Sequence, residues 1–408
     1  MQRRATTASS NRRRLAGAGL AACALWFAWT AVAGAALPAA AATTGTITGT
    51  VRDTAGAPVF DAAVSLAGST ATPVRTDQSG HYAIDGVPFG THTVDVRPVC
   101  KRAVSSELDV DGAERLDVTT DERNTTDTFG YACRRSGAEI FSGTHGIGLV
   151  GDDAAASVPL PFSFPFYGTP RTTAFVSTNG FVSFTGPSTA FTNTAIPDAA
   201  GPNAAIYAFW DDLVVDNAQQ VQVGTFGFAP FRQFVIHWDE VRLRNAPAAH
   251  ASFEIILAED GSIEMRYIDI DAGPDEEGAS ATMGIEDDTG RTGVQEGFDV
   301  RHLPVTFSAS GVRYEPNRAP DAVAEGIFGT RKPGQTLPLD GTRSVDRDGD
   351  VLRYTWKQTS GPATVIADPT SPKTSAKAPK KSVSFELRVV DSYGASDTAS
   401  VVVTVAPK

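Results

Sequence analysis

The feature that most restricts the fold is a two-residue alternation of apolar and polar side chains, which recurs from residue 44 onward. Stretches such as 46–51 and 63–66 alternate in this way and are separated by turn sequences rich in Gly, Pro, Asp and Asn. No window of the chain has a sustained helical period. Short alternating stretches with a turn about every eight to twelve residues are typical of antiparallel sandwiches. The sequence therefore predicts an all-β chain of serial β-sandwich domains after an N-terminal signal peptide.

Residues 1–42 differ from this pattern and provide the signal peptide. Five Arg precede an apolar run over 15–37, and small residues follow up to Ala42. This order is typical of a secretory signal cleaved after Ala42, which predicts a secreted or surface-associated protein. Three alternatives stay open: an uncleaved anchor, since about 20 apolar residues span a bilayer, lipid attachment at Cys23, and twin-arginine export through residues 12–15.

The charge of the remaining chain excludes two classes of partner. The full sequence has 35 Lys and Arg against 47 Asp and Glu, and residues 1–42 contain five Arg and no acid. Residues 43–408 therefore carry 30 basic and 47 acidic side chains, a net charge of −17. A surface with this charge repels nucleic acid and anionic lipid. We expect no nucleic-acid partner and no membrane contact beyond an N-terminal anchor.

Two cysteines, Cys100 and Cys133, remain after the signal peptide. An exported protein with two cysteines is expected to pair them in a disulfide, although two buried thiols are the alternative. The loop that this bridge would close has a separation of 33 residues, worth about 3–4 kcal/mol by chain entropy.

Residues 43–135 form the first predicted domain. Alternating stretches are joined by turns at 53–58 and 76–80. These residues resemble the carboxypeptidase regulatory-like domain, a transthyretin-like sandwich. The resemblance rests on Gly49, Val51, Asp53, Gly56, Pro58, Thr76, Asp77, Gly80, Tyr82 and the run 87–96. It implies a fold and says little about activity.

Residues 136–317 form the second predicted domain. The stretch 175–184 is predicted to be a hairpin, because Asn179-Gly180 between alternating strands favours a type I′ turn. A second tight turn is predicted at 259–261. The segments 164–168, 177–181, 209–212 and 283–286 together resemble the nidogen extracellular (NIDO-type) domain. The resemblance rests on packing and turn motifs and again implies a β module.

Residues 318–408 form the third predicted domain. They resemble a PKD-type, immunoglobulin-like domain through the segments 339–344, 348–350, 354–358 and 385–395. In such a sandwich Trp356 is expected to be the aromatic residue between the two sheets. The resemblance implies a spacer or interaction module, not a catalyst.

The sequence offers few residues for catalysis. The six His are scattered, and no zinc-binding spacing, GxSxG elbow or P-loop occurs. A zinc carboxypeptidase is therefore excluded. Catalysis by two carboxylates, as in a glycoside hydrolase, needs only two acids close together. The candidates are Asp211 with Asp212 and Asp239 with Glu240, and the alternative is that these acids close turns.

Calcium is the better-founded cofactor hypothesis. Asp346, Asp348 and Asp350 place three carboxylates within five residues, and Asp391 is expected to approach from a neighbouring connection. Ca²⁺ prefers six to eight oxygen ligands of this kind. The spacing is not that of an EF-hand, and a plain solvated turn is the alternative. No other cofactor is expected.

Exposed aromatic side chains would allow sugar binding by stacking. The candidates are Trp210, Tyr167, Trp238 and Phe191, although strand aromatics are more often core. We predict an exported, non-catalytic binding or adhesion protein that recognises an extracellular glycan or a surface protein. The candidate ligand-binding residues are Trp210, Asp211, Asp212 and Trp238. The alternatives are a secreted polysaccharide-acting protein with a carbohydrate-binding-like fold, and a structural spacer.

Overall fold

The computed structural model describes residues 43–69, 71–121, 125–137, 141, 144–270, 280–298, 310–326 and 330–406. The predicted signal peptide lies outside the described residues. The regular elements of the described part are all β-strands, which confirms the all-β prediction. Among these residues no helix is long and apolar enough to cross a membrane.

The first module is a sandwich of two four-stranded sheets. One sheet has the order β4-β1-β7, with β8 also pairing with β1, and the other has the order β3-β2-β5-β6. Alternate residues of β1, such as Ile47 and Val51, point inward and are fully buried. The strands are β1 (Thr44–Asp53), β2 (Ala63–Leu66), β3 (Val74–Arg75), β4 (His81–Pro88), β5 (Gly90–Arg97), β6 (Val104–Val110), β7 (Ala113–Arg115) and β8 (Val118–Thr120).

The central module is the largest and packs an eight-stranded sheet against a six-stranded sheet. Its strands are β9 (Ala132–Ser136), β10 (His145–Gly146), β11 (Ala155–Phe166), β12 (Thr169–Ser177), β13 (Phe181–Ser183), β14 (Ala205–Trp210), β15 (Leu213–Val214), β16 (Val221–Phe226), β17 (Gln233–Leu243), β18 (His250–Ala258), β19 (Ile263–Asp269), β20 (Thr282–Glu286), β21 (Gly293–Phe298) and β22 (Ser310–Glu315). The larger sheet has the order β10-β16-β17-β18-β19-β22-β9, with β15 on β17. The smaller sheet has the order β11-β12-β13-β14-β20-β21.

The predicted hairpin at 175–184 is present, but its turn is not of type I′. Phe175 pairs with Ser183 and Val176 with Val182. Between the strands only Gly180 has a positive φ, of 73°, whereas a type I′ turn needs a positive φ at both central residues. The Asn179 side chain accepts the Leu213 N–H at 3.0 Å, which ties this residue to the next connection instead. The predicted turn at 259–261 joins β18 to β19.

The C-terminal module consists of a two-stranded and a three-stranded sheet. Its strands are β23 (Thr336–Asp340), β24 (Arg353–Ser360), β25 (Lys373–Lys377), β26 (Val383–Val390) and β27 (Ser396–Val403). β23 pairs with β25, and the other sheet has the order β24-β26-β27. Trp356 is 2% exposed and packs in the core between them, as predicted.

Strand β9 links the first module to the central one. It lies at the end of the range predicted for the first domain, yet it forms the edge of the eight-stranded sheet by pairing with β22. Residues 132–135 of that range therefore belong structurally to the central module. The reason is register: Cys133 faces Tyr314 on the inner side of the sheet, and both are fully buried.

Candidate functional site

The two tryptophans predicted to bind ligand belong to the core. Trp210 is 1% exposed, packs on Tyr207 and Phe181, and donates its Nε1–H to the Ala190 carbonyl at 2.9 Å. Trp238 is fully buried and donates its Nε1–H to the Ser177 carbonyl at 3.1 Å. Neither ring presents a face to solvent, so the prediction that they stack on a sugar is wrong. Strand alternation placed both rings inward.

The other two aromatic candidates differ from each other. Tyr167 is partly buried, and its hydroxyl donates to Asp127 Oδ2 at 2.7 Å. Phe191 is 49% exposed. The sequence did not single out the most exposed aromatic pair of the described chain, Phe228 and Phe231, at the tip of the β16–β17 hairpin.

Asp211 and Asp212 lie just after Trp210 but have different surroundings. Asp211 is buried and accepts the Ser280 hydroxyl at 2.5 Å. Asp212 is partly buried, and its carboxylate lies within 4.8 Å of those of Asp152 and Asp153. Burial, followed by these two neighbouring carboxylates, raises the pKa of Asp212. Arg244 partly balances this cluster through a 2.8 Å ion pair with Asp152.

Asp239 and Glu240 occupy a bulge in β17 and contact a different set of residues. The pairing register shifts between Trp238 and Val241, so the two acids face one residue of β18. Glu240 has a φ of 50° and accepts the Ser252 hydroxyl at 3.1 Å. Asp239 Oδ1 lies 3.9 Å from His237 Nε2. A bulge accounts for both acids as features of strand geometry.

The acidic loop of the C-terminal module brings three of its four predicted ligands together. Carboxylate oxygens of Asp346, Asp348 and Asp350 lie within 4.8 Å of one another. Burial raises the pKa of Asp350, and the neighbouring carboxylates of Asp346, Asp391 and Asp348 add to this effect.

Asp391 is engaged elsewhere in the structure. It is 2% exposed, and its Oδ1 accepts the backbone N–H groups of Tyr393 and Ala395, both at 2.9 Å. Its Oδ2 accepts the Asn317 side-chain amide at 2.8 Å. Asp391 therefore caps its own turn and contacts the preceding linker. The calcium hypothesis stays a prediction that rests on the other three residues.

The Cys100–Cys133 disulfide is present, and it joins two modules. Cys100 follows β5 of the first module, whereas Cys133 lies in β9 of the central sheet. The Glu296 carboxylate accepts the Cys100 N–H at 3.2 Å, and its Oε2 lies 3.8 Å from Cys133 Sγ. Burial raises the pKa of Glu296 to about 8.

The largest recess among the described residues is a cleft at this junction, which we call the junction cleft. Its volume is about 1100 Å³. Residues of all three modules line it, including Arg102 after β5, Gln295 in β21, and Asp350 and Tyr393 in the C-terminal module. Sequence reasoning missed this cleft because no local motif connects residues so far apart in the chain.

The fold and this arrangement define a multidomain all-β chain whose modules are of kinds suited to binding or to spacing. Three family models match it: the carboxypeptidase regulatory-like domain over residues 46–121, NIDO related over 128–318, and the PKD domain over 330–405. The three resemblances predicted from the sequence, and their order, are thereby confirmed.

Among solved structures the likenesses are distant. A nucleoside hydrolase-related hypothetical protein from Saccharophagus degradans is 21% identical, with a TM-score of 0.20, over 22% of this chain and 26% of that chain. The PKD1 domain of Vibrio anguillarum Epp is 22% identical over 22% of this chain and 99% of that chain, with a TM-score of 0.18. The Bacillus anthracis TIE protein is 7% identical over 90% of this chain and 49% of that chain, with a TM-score of 0.18. TM-scores this low carry no argument about function. No curated protein matches the chain.

Proposed function

We propose that this protein is an exported, non-catalytic binding protein that holds a partner at the junction of its three modules. The kinds of module fit a non-catalytic binding or spacer role. The observation that carries the proposal is the way in which residues 125–134, which we call the connecting segment, contact all three modules.

Contacts of the connecting segment with the first and central modules are covalent and backbone-mediated. Cys133 is bonded to Cys100, and the Thr125 N–H donates to the Cys100 carbonyl at 2.8 Å. The end of the segment forms part of β9 and pairs with β22. The first module is therefore fastened to the central sheet at its edge.

Contacts with the C-terminal module are made through side chains. A Cβ added at Gly130 would lie 2.5 Å from Asn317 Cβ and 3.1 Å from the Tyr393 ring, so only glycine fits there. Asn317, in the linker after β22, donates in turn to Asp391. Close packing of this kind holds the modules around one recess, and a pre-formed recess lowers the entropic cost of binding.

The partner is an extracellular glycan or a surface protein, and one experiment separates binding from turnover. Residues 43–408 are mixed with insoluble starch, cellulose, chitin, cell-wall preparations and intact cells. Protein depletion from the supernatant and release of reducing ends are both measured. We expect depletion by at least one material without release of reducing ends.

Release of reducing ends would contradict the proposal and favour the polysaccharide-acting alternative. Asp211, Asp212, Asp239 and Glu240 would then be the first residues to change. Depletion by no material would also contradict the proposal and leave the spacer role.

A further inference from the structure

Charged side chains of both signs line the junction cleft, and they come from different modules. The cations are contributed by the first module and by β9: Arg97, Lys101, Arg102 and Arg134. The C-terminal module contributes the carboxylates of Asp348 and Asp350. Because residues 43–408 carry a net charge of −17, a cleft with this many cations differs from the average surface.

The basic side holds one guanidinium that is available for a ligand. Lys101 Nζ donates to the Asp121 carbonyl at 3.0 Å, and Arg134 pairs with Glu315 at 2.8 Å. Arg97 lies 4.0 Å from Asp95. Arg102 is exposed, and no ion pair to it occurs within the part of the chain that the structure describes. An anionic group of a ligand would therefore be bound first by Arg102.

The acidic side is short of positive charge. Asp346, Asp348 and Asp350 lie within 4.8 Å of one another, and the nearest cation is Arg318, at 3.6 Å from Asp348. Asp350 accepts the Ser392 hydroxyl at 2.8 Å, which orients its carboxylate without neutralising it. Like charges this close repel, so a cationic group of a ligand would lower the energy of this side.

Apolar surface is also present in the cleft, on the side of the C-terminal module. Val351 is 77% exposed and Tyr393 is 38% exposed, and both line the cleft. Tyrosine at the centre of an interface supplies a rigid contact area with a polar end. A ligand would therefore meet an aromatic ring next to the acidic loop.

These features discriminate among classes of ligand. A neutral polysaccharide would desolvate charges on both sides without pairing them, which costs binding energy. A polyanion would be repelled by the aspartates, and a polycation would be repelled by the arginines and the lysine. The volume of about 1100 Å³ exceeds the range of about 300–1,000 Å³ for small-ligand pockets, so an extended segment of several residues fits better than a metabolite.

We propose that the junction cleft binds a polypeptide segment that carries both an acidic and a basic side chain. The acidic side chain pairs with Arg102, and the basic side chain pairs with Asp348 and Asp350. This inference rests on the proposed binding function and narrows the partner to a protein.

The test is a selection from a random 12-residue peptide library displayed on phage. Residues 43–408 serve as the target, and the Arg102→Ala/Asp350→Asn double variant is used for counter-selection. Selected peptides are then synthesised, and their affinities are measured at 50 and 500 mM NaCl. We expect enriched peptides with both an acid and a base, at least tenfold weaker binding to either single variant, and at least tenfold weaker binding at high salt.

Matched controls are Arg388→Ala and Asp109→Asn, which are exposed positions outside the cleft and should leave affinity unchanged. Enrichment of peptides without charges, with charges of one sign, or with equal affinity for the double variant would overturn the inference. Recovery of no peptide specific for the wild type would also overturn it. The proposed function would still stand if cells or cell walls bound the wild type and not the double variant.

Discussion

At the scale of single residues, Glu296 has the most unusual environment. Its carboxyl group lies beside the disulfide and accepts the Cys100 N–H. Burial raises its pKa from the usual 4.5 to about 8, so the group is protonated at neutral pH. A neutral carboxyl next to a buried disulfide avoids the cost of an unpaired buried charge.

This shift predicts a stability that falls with rising pH. Between about pH 4.5 and pH 8 the folded state keeps a proton that the unfolded state has lost. The contribution of Glu296 to the free energy of unfolding is therefore complete below pH 4.5 and is lost as the pH rises to about 8. We expect Glu296→Gln to raise the free energy of unfolding at pH 8 by on the order of 2 kcal/mol relative to its effect at pH 5.

Urea unfolding at several pH values measures this difference. Glu107→Gln, at an exposed position of β6, is the matched control and should show no such gain. An identical pH dependence for Glu296→Gln and the wild type would mean that Glu296 is ionised in the folded protein.

The buried tryptophans lead to a second prediction at this scale. Trp238 is fully buried and stacks on Phe253 with the ring centroids 5.1 Å apart. Trp238→Ala should therefore lower the free energy of unfolding by about 3–5 kcal/mol. Phe228→Ala, at a ring that is 88% exposed, should change it by less than about 0.5 kcal/mol. Chemical unfolding measures both values, and a mild effect at Trp238 would argue against its core position.

At the scale of elements, the acidic loop between β23 and β24 gives a prediction about calcium. If Asp346, Asp348 and Asp350 hold Ca²⁺, a hundredfold excess over Kd should stabilise the protein by about 2.7 kcal/mol. Asp348→Asn should remove this gain, whereas Asp109→Asn should keep it. Thermal unfolding with calcium or with a chelator measures the effect. The absence of any calcium response would leave the loop as a plain turn.

Elements were predictable from the sequence where their signals were local. The hairpin at 175–184 and the core position of Trp356 followed from alternation and turn residues. The exposure of Trp210 was not predictable, because alternation gives the period of a strand and not which of its faces is buried. The turn type at Gly180 was missed because Asn179 bonds to the distant Leu213.

At the scale of the whole molecule, the disulfide and the connecting segment determine how the modules are joined. Cys100 and Cys133 could be paired from the sequence because only two cysteines remain after the signal peptide. Their role as an inter-module tie could not, since β9 carries no signal that assigns it to the central sheet. The junction cleft was missed for the same reason, because residues from Arg97 to Tyr393 meet only in the folded chain.

Loss of this tie should loosen the first module from the central one. A bridge over a separation of 33 residues contributes about 3–4 kcal/mol. The Cys100→Ser/Cys133→Ser double variant should therefore lose stability by this amount and become more sensitive to proteolysis near residues 121–125. Limited proteolysis with mass spectrometry measures the cleavage. The native disulfide should also resist alkylation until it is reduced, and ready labelling of both cysteines would refute it.

The most direct test of the account is the depletion of residues 43–408 by intact cells and cell walls, compared with that of the Arg102→Ala/Asp350→Asn variant. The account predicts that the wild-type protein is depleted, that at least tenfold more of the variant is needed for equal depletion, and that no reducing ends appear. Equal depletion of the two proteins would contradict binding in the junction cleft, and release of reducing ends would contradict a non-catalytic function.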